Sequence, residues 1–345
     1  MFVRSLKLAA PVIAAGSLMA FGGPVTAAEY FAGKTITVQV PSGSGGTYHA
    51  YCQMVQRNLA NYIPGNPKTL IQNLPGAGGA KSAAYMYNVA PKNGMKLAMI
   101  APGTITVPLV RKVKFNAREF EWLGAPAARS SGVWFWHTAG VKSLADVQKT
   151  EITLGTSGFG SAGSVFPRLM NATLGTKLKL IYGYKGGGAI NVSVERGETM
   201  GRWNFRSGFT GVRPTWIPQK KIIPIIKMGP HDPDPVYANV PHFRDLLKPG
   251  SIGRKMYDVL GMNLEVGQAF YVPQGTSKKA VAILAKAFDK MLADPVFKDR
   301  IIKRRIEYSP VSAAEIRKKI KAGFDAATPD VVKALKDILL KKKKV

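Results

Sequence analysis

The chain has 345 residues, 46% of them hydrophobic, with 49 Lys and Arg against 20 Asp and Glu for a net charge of +29. That length exceeds the roughly 250 to 300 residues one hydrophobic core sustains, so two compact lobes are expected. A single cysteine, Cys52, excludes an internal disulfide, and positives scattered along the chain, dense only at 298–305 and 341–344, argue against nucleic acid and for small anionic solutes.

Arg4 and Lys7 precede an uncharged stretch, 8–28, rich in Ala, Leu, Ile and Met and ending in Val25-Thr26-Ala27-Ala28. A charged start, an apolar core and small residues at the cleavage positions predict a secretory signal over residues 1–28, and with it a periplasmic protein. Cleavage fits after Ala27 or Ala28. A membrane anchor is the rival reading on length alone, but Pro11, Gly16, Gly22, Gly23 and Pro24 interrupt the stretch.

Beyond it, strand and helix patterns alternate. Ile36, Val38 and Val40 alternate as in a strand over 34–40, and a glycine turn at 41–46 leads into a helix over 48–61. The unit repeats as strand 68–72, glycine turn 73–79 and helix 80–90, followed by strand 96–101. Further strands are expected at 133–137, 151–156, 177–182, 201–205, 222–228 and 270–272, with helices from Ser143, after Gly163 and over 189–196. Trp134 and Trp136 share one strand face, where core packing is expected. Residues 229–235 and 248–261 read as irregular connections. The remainder is helical and punctuated: Ser277 caps a helix to Ala293, Asp294-Pro295 opens another, Ser312-Ala313-Ala314-Glu315 is a capping box, and Thr328-Pro329 opens the last. Strands alternating with helices predict an α/β fold of parallel strands covered by helices.

The two early glycine loops fall between a strand and a helix, where open α/β sheets bind ligands and the helix start attracts an anion. A Walker pattern is absent, since no Gly-Lys-Ser/Thr follows Gly43 or Gly45 at the required spacing. Gly158, Gly160 and Gly163 make a Gly-x-Gly-x-x-Gly, but the acidic residue a nucleotide ribose needs about 20 positions later is missing. Residues 157–163 therefore read as a third anion-facing helix start. The four histidines form no His-Glu-x-x-His pair and no Gly-x-Ser-x-Gly elbow occurs, so no catalytic, metal or cofactor site is expected.

These blocks resemble the solute-binding proteins of tripartite tricarboxylate transporters, the Bug family. The resemblance rests on residues 36–47, Asn73-Leu74-Pro75-Gly76-Ala77-Gly78-Gly79, Pro91-Lys92-Asn93-Gly94, Tyr184-Lys185-Gly186-Gly187, Asn239-Val240-Pro241 and residues 270–276. It implies a type II periplasmic binding protein: two α/β lobes joined by two crossings, with a ligand cleft between them. Lobe one would be residues 29–128 with 261–345, and lobe two residues 129–260. The family captures small carboxylic acids and delivers them to a two-component membrane permease.

On that resemblance, Gly45, Gly46, Thr47 and the loop Pro75, Gly76, Ala77, Gly78 and Gly79 would hold one carboxylate from lobe one. Ser157, Gly158, Gly160 and Ser161 would meet the other end from lobe two, with Tyr48, His49, Lys185, Trp203 and Arg206 as the pocket wall. Family members usually carry an Asp three residues after the Gly-Gly pair and an Arg four beyond it; here these are His49 and Gln53. The loss of the acid argues against an amino-acid ligand and for a dicarboxylate or aromatic acid. A periplasmic sensor presenting its ligand to a signalling partner, and a nucleotide-dependent enzyme, are the alternatives.

Overall fold

A computed structural model describes residues 30–128, 130–231 and 234–340. The expected signal segment 1–28 and the lysines at 341–344 lie outside the described residues. No helix among the described residues is long and apolar enough to cross a membrane.

Eleven strands are described: β1 (Thr35–Val40), β2 (Lys68–Asn73), β3 (Lys96–Met99), β4 (Glu121–Ala125), β5 (Ser131–Trp136), β6 (Ile152–Gly155), β7 (Leu178–Ile181), β8 (Gly201–Phe205), β9 (Ile222–Met228), β10 (Phe270–Val272) and β11 (Val311–Ser312). They form a six-stranded sheet in the order β11-β4-β10-β3-β1-β2 and a five-stranded sheet in the order β7-β6-β8-β5-β9. Neither sheet is wholly parallel as the alternation predicted. In the first, β10 runs antiparallel between β3 and β4; in the second, β5 runs antiparallel between β8 and β9. These are the strands by which the chain enters a sheet from the other lobe, so no crossover helix sets their direction.

The helices are α1 (Thr47–Asn58), α2 (Ala80–Asn88), α3 (Val107–Val110), α4 (Leu144–Lys149), α5 (Ala162–Leu174) and α6 (Gly187–Glu195). They continue with α7 (Ser207–Thr210), α8 (Ile252–Val266), α9 (Lys278–Ala293), α10 (Pro295–Lys303), α11 (Ala313–Asp325) and α12 (Pro329–Leu340). Two apolar clusters cover the first sheet, one around Val38, Val55 and Phe288 and one around Trp122, Tyr271 and Ile316. The second sheet buries Val133, Phe135 and Phe166 on one side. Its other side carries Trp134, Phe209 and Trp216, with Trp136 packed against them, so the two tryptophans of β5 do share a core face.

Two expectations change. The stretch read as irregular over 248–261 contains most of α8, whose start is capped by Ser251 accepting from the Arg254 amide and whose buried face carries Met256, Val259, Leu260 and Leu264. Pro249, Gly250, Gly253 and Gly261 masked that 3.6-residue period. The last helix, expected with lobe one, instead spans both: Val331, Leu335 and Leu339 join the cluster beneath the second sheet, which also holds Val110 of α3. The chain leaves the first sheet after β4 and returns to it at β10 after α8. Around the first passage, the Ala128 amide donates to Ser309 O at 3.0 Å and the Gln268 amide to Ala127 O at 2.9 Å, tying the connecting segments together.

Candidate functional site

Four helices begin where a parallel strand ends: β1 runs into α1, β2 into α2, β6 into α5 and β7 into α6. Their first residues converge on one cavity of about 420 Å³ between the lobes. None of the four has a side-chain cap or an acidic residue in its first turn. Each points a positive dipole end at the same space, and α1, α5 and α6 also leave first-turn amide donors there, whereas at α2 the turn over 77–79 takes the Ala80 and Lys81 amides onto Ala77 O and Gly76 O. Among the described residues, no Asp or Glu lines the cavity.

The structure places Gly46, Thr47, Tyr48, Pro75, Gly76, Ala77, Gly78 and Gly79 on the cavity wall from the first lobe. Ser157, Ser161, Lys185 and Trp203 line it from the second. Trp203 is also core, stacking on Phe166 at 6.2 Å between ring centroids.

Gly45, Gly158 and Gly160 are not on the wall, and they have a different task. A Cβ added to Gly158 would stand 2.6 Å from the Gly78 amide nitrogen, one on Gly78 2.5 Å from the Ser161 nitrogen, and one on Gly103 2.5 Å from Gly160 O. On the other flank, a Cβ on Gly188 would meet Ser44 O at 2.8 Å, and the Gly43 amide donates to Lys185 O at 2.8 Å. Backbone thus meets backbone across the cleft at two latches, one on each side of the cavity. The lobes are closed, and glycine is what permits them to touch.

His49 faces Asn73 instead of the cavity. The Asn73 amide nitrogen lies 3.0 Å from His49 Nδ1 and donates to Ser42 O at 2.8 Å, so His49 braces the end of β2 against the first glycine loop. Burial pulls its pKa below the usual 6.5, favouring the neutral ring that accepts this bond. Arg206 is also away from the wall, ion-paired to Asp234 at 2.6 Å and to Glu307 at 3.7 Å beside the lobe connections.

The residue that sequence reasoning missed is Arg202. It lines the cavity from β8 and is 6% exposed. Its Nη1 donates to Gly187 O and to Asn191 Oδ1, both at 2.6 Å, and Nε donates to Trp203 O at 3.3 Å. No carboxylate among the described residues pairs with it. Burial lowers its pKa to about 9, partly offset by Tyr48, so it stays cationic at neutral pH. Asn204, two residues along the same strand face, also lines the cavity, and its Nδ2 has no hydrogen-bond partner among the described residues.

One cluster of metal-type donors is described, His231, His242 and Asp245. The two imidazoles stack at 3.9 Å with 17° between planes. Ring-nitrogen lone pairs lie in the ring plane, so stacked rings cannot both aim at one ion about 2 Å away. His242 is further committed at both nitrogens, to Gly229 O and to the Arg244 amide.

No family model matches the chain. A curated relative, a UPF0065 protein of Agrobacterium vitis, is 26% identical over 170 residues, which is 47% of this chain and 48% of the relative; the match thus spans about half the relative's length. Among solved structures, the periplasmic binding protein BugD superposes with a TM-score of 0.72 at 19% identity, covering 90% of this chain and 99% of BugD. A protein of Rhodopseudomonas palustris solved with adipate gives 0.68 at 16% identity, covering 89% and 97%. MatC from Rhodopseudomonas palustris with bound malate gives 0.66 at 18%, covering 89% and 99%. The two sheets, the cleft between them and these superpositions agree on one architecture: the chain has the fold of the two-lobed periplasmic binding proteins.

Proposed function

We propose that this chain is an exported solute-binding protein of the Bug family that captures a small organic carboxylate and encloses it between its lobes without chemical change. One observation carries the reading: four helix starts with no side-chain cap and no acidic residue in the first turn surround a cavity whose wall, among the described residues, has no Asp or Glu. Each start is equivalent to about half a positive charge, so the cavity is built for an anion and against an ammonium group. An amino acid is disfavoured on that ground. The acids bound in two of the structures the chain resembles, adipate and malate, are both dicarboxylates. Delivery to a two-component membrane permease is the expected use of the closed form, with presentation to a signalling partner as the alternative, since both need only that a partner recognise closed lobes.

The test is thermal unfolding of the protein lacking residues 1–28 against a panel of dicarboxylates, aromatic acids, amino acids and nucleotides. A ligand selective for the folded state raises the melting temperature with concentration. The reading expects such a rise with at least one acid and none with the amino acids; a response to nucleotides alone would favour an enzyme instead.

A further inference from the structure

We infer that Arg202 and Asn204 form a second-lobe receptor for a second anionic group of the ligand, so that this pair sets the charge the site demands. The assignment rests on the carboxylate reading above. The glycine loops of the first lobe offer backbone amides, which serve any oxygen acceptor. Arg202 is different in kind: a full positive charge, 6% exposed, on the cavity wall, with only neutral acceptors around it. A buried cation without a counter-charge is costly, and structures normally pair it. Here the two acceptors of Nη1, Gly187 O and Asn191 Oδ1, hold the guanidinium in place without neutralising it.

Asn204 adds an independent sign. It is 3% exposed, lines the same cavity, and leaves its Nδ2 unpartnered among the described residues. Buried amides are seldom left so. Residues i and i+2 of a strand share a face, so guanidinium and carboxamide belong to one face of β8, the carboxamide lying against Gly208, and both carry the N–H donors a carboxylate takes. The four helix starts, Arg202 and the exposed Lys185 at the wall together place about four positive charge equivalents around the cavity, more than one carboxylate balances.

The experiment separates ligand charge from protein stability. Binding of succinate, glutarate and adipate is measured by calorimetry beside their monoamides, which keep the shape and one carboxylate, for the native protein and for Arg202→Gln and Asn204→Ala. Losing one member of a buried charge pair costs a factor of about 30 or more in affinity. The native protein is expected to prefer a diacid over its monoamide by at least that factor, Arg202→Gln to bind both alike, and Asn204→Ala to fall between. If Arg202→Gln weakens diacid and monoamide equally, Arg202 is only a scaffold for α6 and the assignment is overturned. If the native protein binds none of these diacids or monoamides while an aromatic monoacid raises its melting temperature, the carboxylate reading stands and this assignment falls; if no acid of any kind binds, the carboxylate reading fails and takes this assignment with it.

Discussion

Helices that begin at the cavity and helices that begin elsewhere are built by different rules. Away from the cavity, Ser143 and Ser312 make capping boxes at α4 and α11, while Ser251, Ser277 and Asp294 each accept a backbone amide at the starts of α8, α9 and α10. At the cavity, Gly46, Gly79, Ser161 and Gly186 occupy the same position and none caps. Ser161 is the telling case, because it has the hydroxyl but donates it to Gly158 O and shares it with Thr156. Five outer helices, α4, α8, α9, α10 and α11, cap their own first turns, whereas the four at the cavity have no side-chain cap, and neither do the single-turn helices α3 and α7. On the proposed reading, the longer helices thus divide stability and binding between two sets of starts.

The strongest way to break this contrast is to stop the lobes closing. Gly158→Ala adds a methyl 2.6 Å from the Gly78 nitrogen without asking for a left-handed backbone, and the ligand-induced rise in melting temperature should vanish while unliganded unfolding hardly changes. Next in size, Ser161→Asp gives α5 the cap it lacks. Unliganded stability should hold or rise, and calorimetry should find affinity for a dicarboxylate reduced about tenfold or more by the like charge. Conversely, Ser312→Ala should cost about 1 kcal/mol in denaturant unfolding, with no change in ligand affinity. A loss of affinity there would erase the division.

The smallest expected effect is a pH dependence shared by two histidines. Burial lowers the pKa of both His49 and His242 in the folded chain from 6.5. The unfolded chain then takes up these protons first, so stability present above pH 6.5 is lost as pH falls through it. Replacing His49 with Asn should remove its share of that slope, read from melting temperatures on either side of 6.5.

Much of the fold was legible because its signals are local. The alternation of Ile36, Val38 and Val40, the Ser312 capping box and the Asp294-Pro295 start each need only a few neighbouring residues, and each stands where expected. The helix α8 was not, since breakers at Pro249, Gly250, Gly253 and Gly261 outweigh its apolar period until packing between the lobes decides. The glycine loops could be placed but not apportioned: Gly76 and Gly79 line the cavity, whereas the missing side chains of Gly78 and Gly158 let backbone meet backbone across the cleft. Arg202 carried no signal at all, because a charged residue inside a strand reads as solvated surface, and only the α6 start and Asn191 bury it. His49, the odd residue after the first loop, became intelligible once Asn73 was seen between it and Ser42.

Calorimetric titration of the native protein with a series of dicarboxylates and with their neutral diamides decides whether an organic anion takes the place of the missing helix caps. Saturable binding of at least one diacid, with no detectable binding of the matching diamide, is expected; equal binding of the two, or binding of the diamide alone, would overturn the proposed function.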